Sequence, residues 1–131
     1  MRLLLDTHIW LWSLLEPRRL SRRVARALGN PANELWLSPV SVWELIVLCA
    51  KQRVILNEAV ESWVGRALDA SRLREAPLTH EVALATAAVK LPHRDPADRF
   101  LAATARVFDL TLVTADKNLG RSSGFSVLVN R

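Results

Sequence analysis

Leu3-Leu4-Leu5-Asp6-Thr7-His8 is the stretch of sequence that decides the fold of this chain. Three consecutive leucines closed by a polar residue are typical of a strand that is covered on both faces, as in the middle of a parallel sheet. Residues 2–6 are therefore predicted to form the first strand. The next segment, Thr7 to Leu15, is predicted to be a helix that ends at Glu16-Pro17. A buried strand that runs directly into a helix favours an α/β fold with Asp6 at the junction.

Strands and helices continue to alternate along the rest of the chain. Further strands are predicted at 34–37, 74–78, 110–114 and 126–129, and further helices at about 21–29, 38–51, 57–70, 79–91 and 97–108. Such alternation indicates parallel strand pairing, so the expected fold has three layers, with a central, mostly parallel sheet flanked by helices. No internal repeat, low-complexity segment or long linker is present, and residues 1–131 are predicted to form a single domain.

Four carboxylates occupy positions that such a sheet brings to one edge. Asp6 follows the first strand and Asp116 follows the strand at 110–114, whereas Glu44 and Asp98 lie just inside helices that begin after proline-containing turns. The carboxyl ends of parallel strands and the amino ends of the following helices share one edge, where ligands bind. Right-handed crossovers place both strand ends on that edge, so we expect the four acids to lie together.

Acids gathered in this way repel one another unless a cation lies among them. Hard divalent cations such as Mg²⁺ and Mn²⁺ prefer oxygen ligands of this kind. A bound ion of this type orients a water molecule, lowers its pKa and neutralises charge in the transition state, while a carboxylate accepts the water's proton. An acidic metal site in a basic protein therefore predicts hydrolysis of a phosphodiester.

Each acid also has a structural explanation when it is taken alone. Asp6 is in position to cap the helix that begins at Thr7, and Ser41-Val-Trp-Glu44 matches a capping box. Asp95 is a candidate N-cap ahead of Pro96, which places Asp98 in the favourable first turn. Asp116 fits a turn after its strand. Four separate capping roles are needed to explain what one metal site explains, so the set favours a functional cluster.

Composition limits the classes of protein that the chain can belong to. Half of its 131 residues are hydrophobic, which indicates a folded domain with a sizeable core. The formal net charge is +5, which is consistent with a polyanionic partner such as nucleic acid. The single cysteine, Cys49, excludes an internal disulfide and a zinc–thiolate cluster. The N-terminus becomes polar too soon for a signal peptide, and no segment has the length of a membrane span, so a cytoplasmic protein is expected.

The motifs around the four acids resemble the PIN-domain family, specifically the VapC-type toxins of bacterial toxin–antitoxin pairs. The similar stretches are Leu-Leu-Leu-Asp6-Thr-His, Ser41-Val-Trp-Glu44-Leu, Asp95-Pro-Ala-Asp98-Arg-Phe-Leu-Ala-Ala-Thr-Ala and Leu-Val-Thr114-Ala-Asp116, in the order that the family has them. This resemblance spans Leu3 to Asp116. It implies a PIN-like fold and a Mg²⁺- or Mn²⁺-dependent endoribonuclease, with RNA as substrate and Asp6, Glu44, Asp98 and Asp116 as catalytic and metal-binding residues. It also implies a homodimer, inhibited by a small cognate antitoxin.

Several other residues are candidates for contact with the substrate. Arg94 and Arg99 flank the acidic loop and are predicted to hold the scissile phosphate, with pairing to Asp95 as the alternative. Thr114 is predicted to hydrogen-bond an acid or bound water, or else to serve only as a strand residue. A row of arginines at helical spacing is either an RNA-binding strip, a contact for an antitoxin or a solvated helix face; it consists of Arg19, Arg22, Arg23 and Arg26.

Asp95, Asn118 and His8 lie close to the acids in sequence, but structural roles are predicted for them: a helix cap, a surface turn and the first turn of a packed helix. The five tryptophans are unusual in a chain without tyrosine. Trp12 and Trp63 are predicted to be core residues. Trp10 and Trp43 are also predicted to pack, with base stacking or a protein interface as the alternative.

Three other classes of protein are compatible with parts of this pattern. A non-catalytic module that binds nucleic acid or protein shares the basic surface but does not need four acids. A phospho-receiver domain requires an aspartate after a central strand, and residues 45–68 contain none. A haloacid-type phosphatase requires a second aspartate two residues after Asp6, where His8 stands. The metal dependence of RNA cleavage separates a nuclease from the binding module.

Overall fold

The computed structural model describes residues 1–91, 95–119 and 124–131. Within these residues, strands and helices alternate along most of the chain, with short 3₁₀ turns at Pro17–Arg19 and Thr86–Ala88. The elements are β1 (Arg2–Leu5), α1 (Thr7–Leu15), α2 (Arg22–Gly29), β2 (Glu34–Leu37), α3 (Pro39–Ala50), α4 (Val60–Ala70), β3 (Leu73–Glu75), α5 (His80–Ala85), α6 (Pro96–Phe108), β4 (Thr111–Thr114) and β5 (Ser126–Val129).

The described strands form a five-stranded parallel sheet in the order β3-β2-β1-β4-β5. Strand β1 lies in the middle, and its Leu4 is in register with Trp36 of β2 and Leu112 of β4. The chain adds β2 and β3 on one side of β1 and then returns to add β4 and β5 on the other. The strand order therefore reverses between β1 and β4, and in open α/β sheets this switch point is where ligands bind.

The leucine run buries side chains on both faces of the sheet, as the sequence predicts. Leu3 and Leu5 pack with Ile9 of α1 and Leu45 of α3 on one face. Leu4 faces the opposite side and packs with Leu101 of α6. The alternation follows from the two-residue period of a strand. Helices α1 to α4 thus cover one face, and α6, with α5 packed against it, covers the other, which confirms the predicted three-layer fold.

Two predicted elements end several residues earlier than the sequence predicts, and the predicted helix 57–70 begins only at Val60. The predicted strand 74–78 is Leu73–Glu75, because Pro77 has no N–H to continue the ladder. The predicted helix 79–91 ends at Ala85, where the Thr86 hydroxyl donates back to the carbonyl of Ala83 at 2.6 Å and a 3₁₀ turn follows. The predicted loop 92–96 and turn at 117–120 fall partly outside the described residues.

No helix in the described ranges combines the length and the apolar character needed to cross a membrane.

Asn130 ties the end of β5 to the turn between α1 and α2. Its backbone N–H donates to the carbonyl of Thr114 at 2.7 Å. Its side-chain amide donates to the carbonyl of Arg19 at 2.9 Å, and its side-chain oxygen accepts from the N–H of Ser21 at 2.6 Å. The side chain therefore fixes the 3₁₀ turn that carries Arg19 against the edge of the sheet where β4 ends.

Replacing Asn130 by alanine is expected to lower the free energy of unfolding by about 1–3 kcal/mol, because two hydrogen bonds are lost at roughly 1 kcal/mol each. Urea denaturation followed by circular dichroism measures this change. The matched control is Asn57→Ala in the exposed loop before α4, which should change stability by less than about 0.5 kcal/mol. Equal stabilities of the two variants would contradict the role given to Asn130.

Candidate active site

A cleft of about 490 Å³ opens at the carboxyl edge of the sheet, over the switch point between β1 and β4. All four predicted acids line it, although they come from different elements of the chain. Asp6 follows β1, Asp116 follows β4, Glu44 lies in α3 and Asp98 lies in the first turn of α6. The full lining is Asp6, Thr7, His8, Trp12, Arg19, Glu44, Asp95, Asp98, Ala115 and Asp116.

Asp6 lies at the bottom of the cleft and is only 8% exposed. One carboxylate oxygen accepts from the N–H of Ile9 at 2.9 Å, so Asp6 also caps α1 as its sequence position suggests. Burial raises the pKa of this carboxyl, although hydrogen bonds from Thr114 and from the Ile9 and Ala115 backbones oppose the change. The local structure thus holds a buried acid in place without fully compensating its charge.

Glu44 is held by the hydroxyl of Thr7. This hydroxyl is hydrogen-bonded to Glu44 Oε1 and lies 3.0 Å from the Ser41 hydroxyl. Because a hydroxyl carries one proton, Thr7 donates to the carboxylate and accepts from Ser41. Burial raises the pKa of Glu44, and repulsion from Asp95 and Asp6 raises it further, against the lowering effect of Thr7 and His8.

The capping-box explanation of Glu44 is wrong. Helix α3 begins at Pro39, and its N-cap is Ser38, whose hydroxyl accepts from the N–H of Val40 at 3.0 Å. Ser41 is buried inside the helix and contacts Thr7. Glu44 is therefore one turn too far along the helix to serve the cap, and its side chain lies in the cleft instead.

Two acids at the start of α6 complete one wall of the cleft. Asp95 caps the helix by accepting from the N–H of Ala97 at 3.0 Å, as predicted. It also lines the cleft beside Asp98 and raises the pKa of Glu44, so its position serves both the helix and the site. Asn118 forms the expected turn, with its N–H donating to Asp116 Oδ1 at 2.9 Å.

The donor set suits a hard divalent cation in its chemistry. It consists of carboxylate oxygens, and two of the acids, Asp6 and Glu44, have raised pKa values that a nearby cation would lower. As the side chains stand, no three Asp, Glu, His or Cys side chains of the described residues converge into a ready-made metal site. An ion bound in the cleft would therefore be held by carboxylates that turn towards it.

The predicted phosphate contact of Arg99 needs correction, whereas Thr114 makes the predicted hydrogen bond to an acid. The Arg99 guanidinium donates to the carbonyls of Thr86 and Val89 at 3.3 and 3.0 Å, which ties α6 to the 3₁₀ turn after α5. Thr114 is completely buried, so its side chain is out of reach of a substrate. Its hydroxyl bonds to Asp6 and accepts from the N–H of Asp116 at 3.0 Å, which positions both acids. Arg94 lies outside the described residues.

Trp10 and Trp63 pack as the sequence predicts, whereas Trp43 and Trp12 differ from the predictions. Trp10 is buried and packs edge-on against Trp63, with ring centroids 5.8 Å apart, so neither ring is available to a base. Trp43, predicted to pack, is 58% exposed on α3. Trp12, predicted to be a core residue, packs against the core but also forms part of the cleft wall.

Sequence reasoning named Arg19 as a possible RNA contact but missed its position in the cleft. It was grouped with the arginines of the next helix, but α2 begins only at Arg22, and Arg19 lies in the preceding 3₁₀ turn. Pro17 is the sequence signal that separates them, because proline at the start of a turn fixes a new local conformation. The guanidinium lies over the Trp12 ring, 4.1 Å from its centroid, and lines the cleft.

The fold and the site define an α/β protein with a carboxylate-lined cleft at the switch point of a parallel sheet. Sequence comparison identifies its family. Residues 3–124 match the sequence model of the PIN domain. The chain belongs to the PIN-domain family, which confirms the resemblance seen in its motifs. It is 38% identical over 119 residues to Ribonuclease VapC22 of Mycobacterium tuberculosis strain ATCC 25618 / H37Rv, a match that covers 88% of each chain.

Solved structures have the same fold. The VapBC2 complex from Rickettsia felis, bound to a DNA fragment from its promoter, contains a chain with a TM-score of 0.74 and 16% identity, over 98% of both chains. A toxin–antitoxin complex from Klebsiella pneumoniae gives a TM-score of 0.63 and 23% identity, over 98% of this chain and 97% of that one. At these identities the likeness concerns the fold.

Replacing Glu44 by glutamine is expected to raise the melting temperature in EDTA at pH 7. Folding raises the pKa of Glu44, so its ionised form lowers stability at neutral pH, whereas glutamine keeps the oxygen that accepts from Thr7. The rise should be a few degrees, since each 1 kcal/mol shifts the melting temperature of a domain of this size by roughly 3–6 °C.

Added Mn²⁺ should give the wild-type protein the higher melting temperature of the two. At 100 times its dissociation constant it stabilises the wild type by about 2.7 kcal/mol, and it stabilises Glu44→Gln by less. Glu61→Gln, in the exposed first turn of α4, is the control and should not raise the melting temperature. Equal Mn²⁺ stabilisation of Glu44→Gln and the wild type would contradict an ion held by Glu44.

Proposed function

We propose that this protein is a metal-dependent endoribonuclease toxin that is neutralised by a cognate antitoxin. The observation that carries the proposal is the set of four carboxylates, Asp6, Glu44, Asp98 and Asp116, lining one cleft of a basic PIN-domain protein. RNA is the proposed substrate because the 38% identical relative is named a ribonuclease. Mg²⁺ or Mn²⁺ is the proposed cofactor because the cleft offers carboxylate oxygens.

The four acids would hold the ion, with Asp95 beside them at the start of α6. When bound, the ion activates water and neutralises charge on the phosphate under attack. Glu44 is the proposed proton acceptor, because it lines the cleft beside the other acids and Thr7 fixes its orientation. Attack of water on phosphorus then breaks one phosphorus–oxygen bond of the RNA backbone, and the released oxygen takes up a proton.

Thr7 and Thr114 support this chemistry from below the cleft. Both are buried polar residues, 2% and 0% exposed, and each donates its hydroxyl to one of the acids. Buried hydroxyl groups in fixed hydrogen bonds hold their partners in a narrow range of positions, and such preorganisation is what a hydrolytic site requires. The proposed mechanism therefore needs no serine or cysteine nucleophile.

The antitoxin is proposed because structural neighbours are toxin–antitoxin complexes. A homodimer is proposed as well. Exposed apolar side chains support a protein interface: Trp43 and Ile46 on α3 are 58% and 45% exposed, and Ile55 in the following loop is 82% exposed. Such groups beside an apolar groove of about 630 Å³ favour contact with another protein surface.

Light scattering during gel filtration tests the homodimer. The isolated protein should elute with about twice the chain mass of 14.7 kDa. A monomer mass at micromolar concentrations would contradict the homodimer and leave the antitoxin as the partner for the apolar surface.

RNA cleavage tests the proposed activity. Incubation of the purified protein with total RNA should give discrete products in Mn²⁺ or Mg²⁺ and none in EDTA. Asp98→Asn should reduce the rate by about 100-fold or more, because it removes charge from the ion's surroundings. Asp69→Asn, the same change on the exposed face of α4, is the matched control and should cleave like the wild type.

Cleavage that persists in EDTA would overturn the metal mechanism. RNA binding without cleavage in any metal, from protein free of antitoxin, would favour the alternative function, a binding module that has kept the fold.

A further inference from the structure

One wall of the acidic cleft carries a basic and aromatic group that the proposed hydrolysis does not use. Trp12 projects from α1 one turn after His8, and the two rings lie 5.9 Å apart at an angle of 55°. The guanidinium of Arg19 lies over the other part of this wall, 4.1 Å from the centroid of the Trp12 ring. All three residues line the same cleft as the acids.

The backbone of Arg19 is fixed relative to the acids. Arg19 ends a 3₁₀ turn that begins with Pro17, and its carbonyl accepts from the side chain of Asn130. Asn130 is in turn bonded through its N–H to Thr114, the residue that positions Asp6 and Asp116. A short chain of hydrogen bonds therefore connects the basic wall to the bottom of the cleft.

The charged end of Arg19 remains available to a ligand. Its ion pair with Glu16 has an N–O distance of 3.4 Å, and both side chains are more than half exposed, at 55% and 58%. Exposed pairs of this kind contribute little to stability and exchange readily with other partners. Contact with the indole face holds the guanidinium by its π side, so the N–H groups other than the one bonded to Glu16 can donate to a ligand.

The charge of the cleft indicates which ligand group Arg19 binds. An RNA strand has one phosphate at the acids and further phosphates on either side of it. Those neighbouring phosphates approach a surface that carries five carboxylates, so they need a fixed cation close by. A guanidinium matches two phosphate oxygens with two parallel hydrogen bonds. Among the described residues that line the cleft, Arg19 is the arginine in this position.

We propose that Arg19, held against the Trp12 ring, is a substrate-positioning residue that binds the RNA phosphate next to the bond cleaved at the acids. This inference rests on the proposed ribonuclease function. Trp12 positions Arg19, and the two residues set the path along which the strand enters the cleft. Because Arg19 contacts a phosphate that does not react, it contributes to binding of the strand and not to the chemical step.

Steady-state cleavage of a short single-stranded RNA in Mn²⁺ tests the proposal. Arg19→Ala should raise KM by about 10-fold or more with little change in kcat, because the paired charge-assisted hydrogen bonds to the phosphate are lost. Arg19→Lys should recover part of the loss, because a lysine keeps the charge but not the paired hydrogen bonds. The matched control is Arg18→Ala, which makes the same change of charge in the same turn at an exposed residue that does not line the cleft.

A second measurement separates binding from chemistry. In the Asp98→Asn background, RNA binding is followed by fluorescence anisotropy at several salt concentrations. Adding Arg19→Ala should reduce the slope of log affinity against log salt by about 0.7, the value for one phosphate contact with a single strand. Adding Arg18→Ala should leave the slope unchanged, and Trp12→Leu should act in the direction of Arg19→Ala, with Trp12→Phe closer to the wild type.

The outcomes distinguish this inference from the function on which it rests. A wild-type protein that cleaves no RNA, or an Asp98→Asn variant that cleaves normally, would overturn the proposed function. If the wild type cleaves and Asp98→Asn does not, but Arg19→Ala and Arg18→Ala share the same KM and salt slope, the role of Arg19 alone is overturned. Unchanged RNA kinetics with weakened antitoxin binding would also overturn it, and would assign Arg19 to the protein partner.

Discussion

The parallel pairing of β1 with β4 is the contact on which the candidate site depends. It places Leu5 in register with Val113, and the N–H of Asp6 donates to the carbonyl of Val113 at 2.9 Å just beyond the strand. More than a hundred residues of sequence separate the two strands, yet their ends become neighbours. Because strand order reverses at this pair, the helices on its two sides diverge and leave a cleft. The four acids line this cleft.

This arrangement makes ionisation of the acids less favourable. Burial disfavours the ionised forms of Asp6 and Glu44, and neighbouring carboxylates add to the effect for Glu44. The buried hydroxyl groups of Thr7 and Thr114 offset part of it by donating to the charged oxygens. The leucine core around β1, on both faces of the sheet, offsets the free energy lost by burying these acids. Each fully buried leucine contributes about 1.5–3 kcal/mol to folding. A repelling set of acids in a well-packed frame is typical of sites built for ion binding rather than for stability.

The sequence predicted the features that depend on local pattern and on the rules of parallel sheets. The leucine run, the alternation of elements and the meeting of the four acids follow from periodicity and connection handedness, and the structure places all of them as expected. The sequence did not predict which polar side chains make their hydrogen bonds outside the cleft. Arg99 is adjacent to an acid in sequence, but its guanidinium donates to the carbonyls of Thr86 and Val89. These two residues lie at a 3₁₀ turn, where the sequence pattern predicted a continuous helix. The position of Arg19 could not be predicted, because it depends on the turn that begins at Pro17 and on a hydrogen bond from Asn130, which is more distant in sequence.

The charge distribution imposes an order on the proposed reaction. The protein as a whole has a net charge of +5, which attracts RNA from a distance, but the cleft is lined by five carboxylates that repel a phosphate at close range. Surface arginines cannot cancel this repulsion, because salt screens them over about 8 Å at physiological ionic strength. A divalent cation among the acids can, since it lies between the carboxylates and the phosphate. In the proposed reaction the ion would therefore be present before the strand settles, and metal binding would be a condition for substrate binding as well as for chemistry.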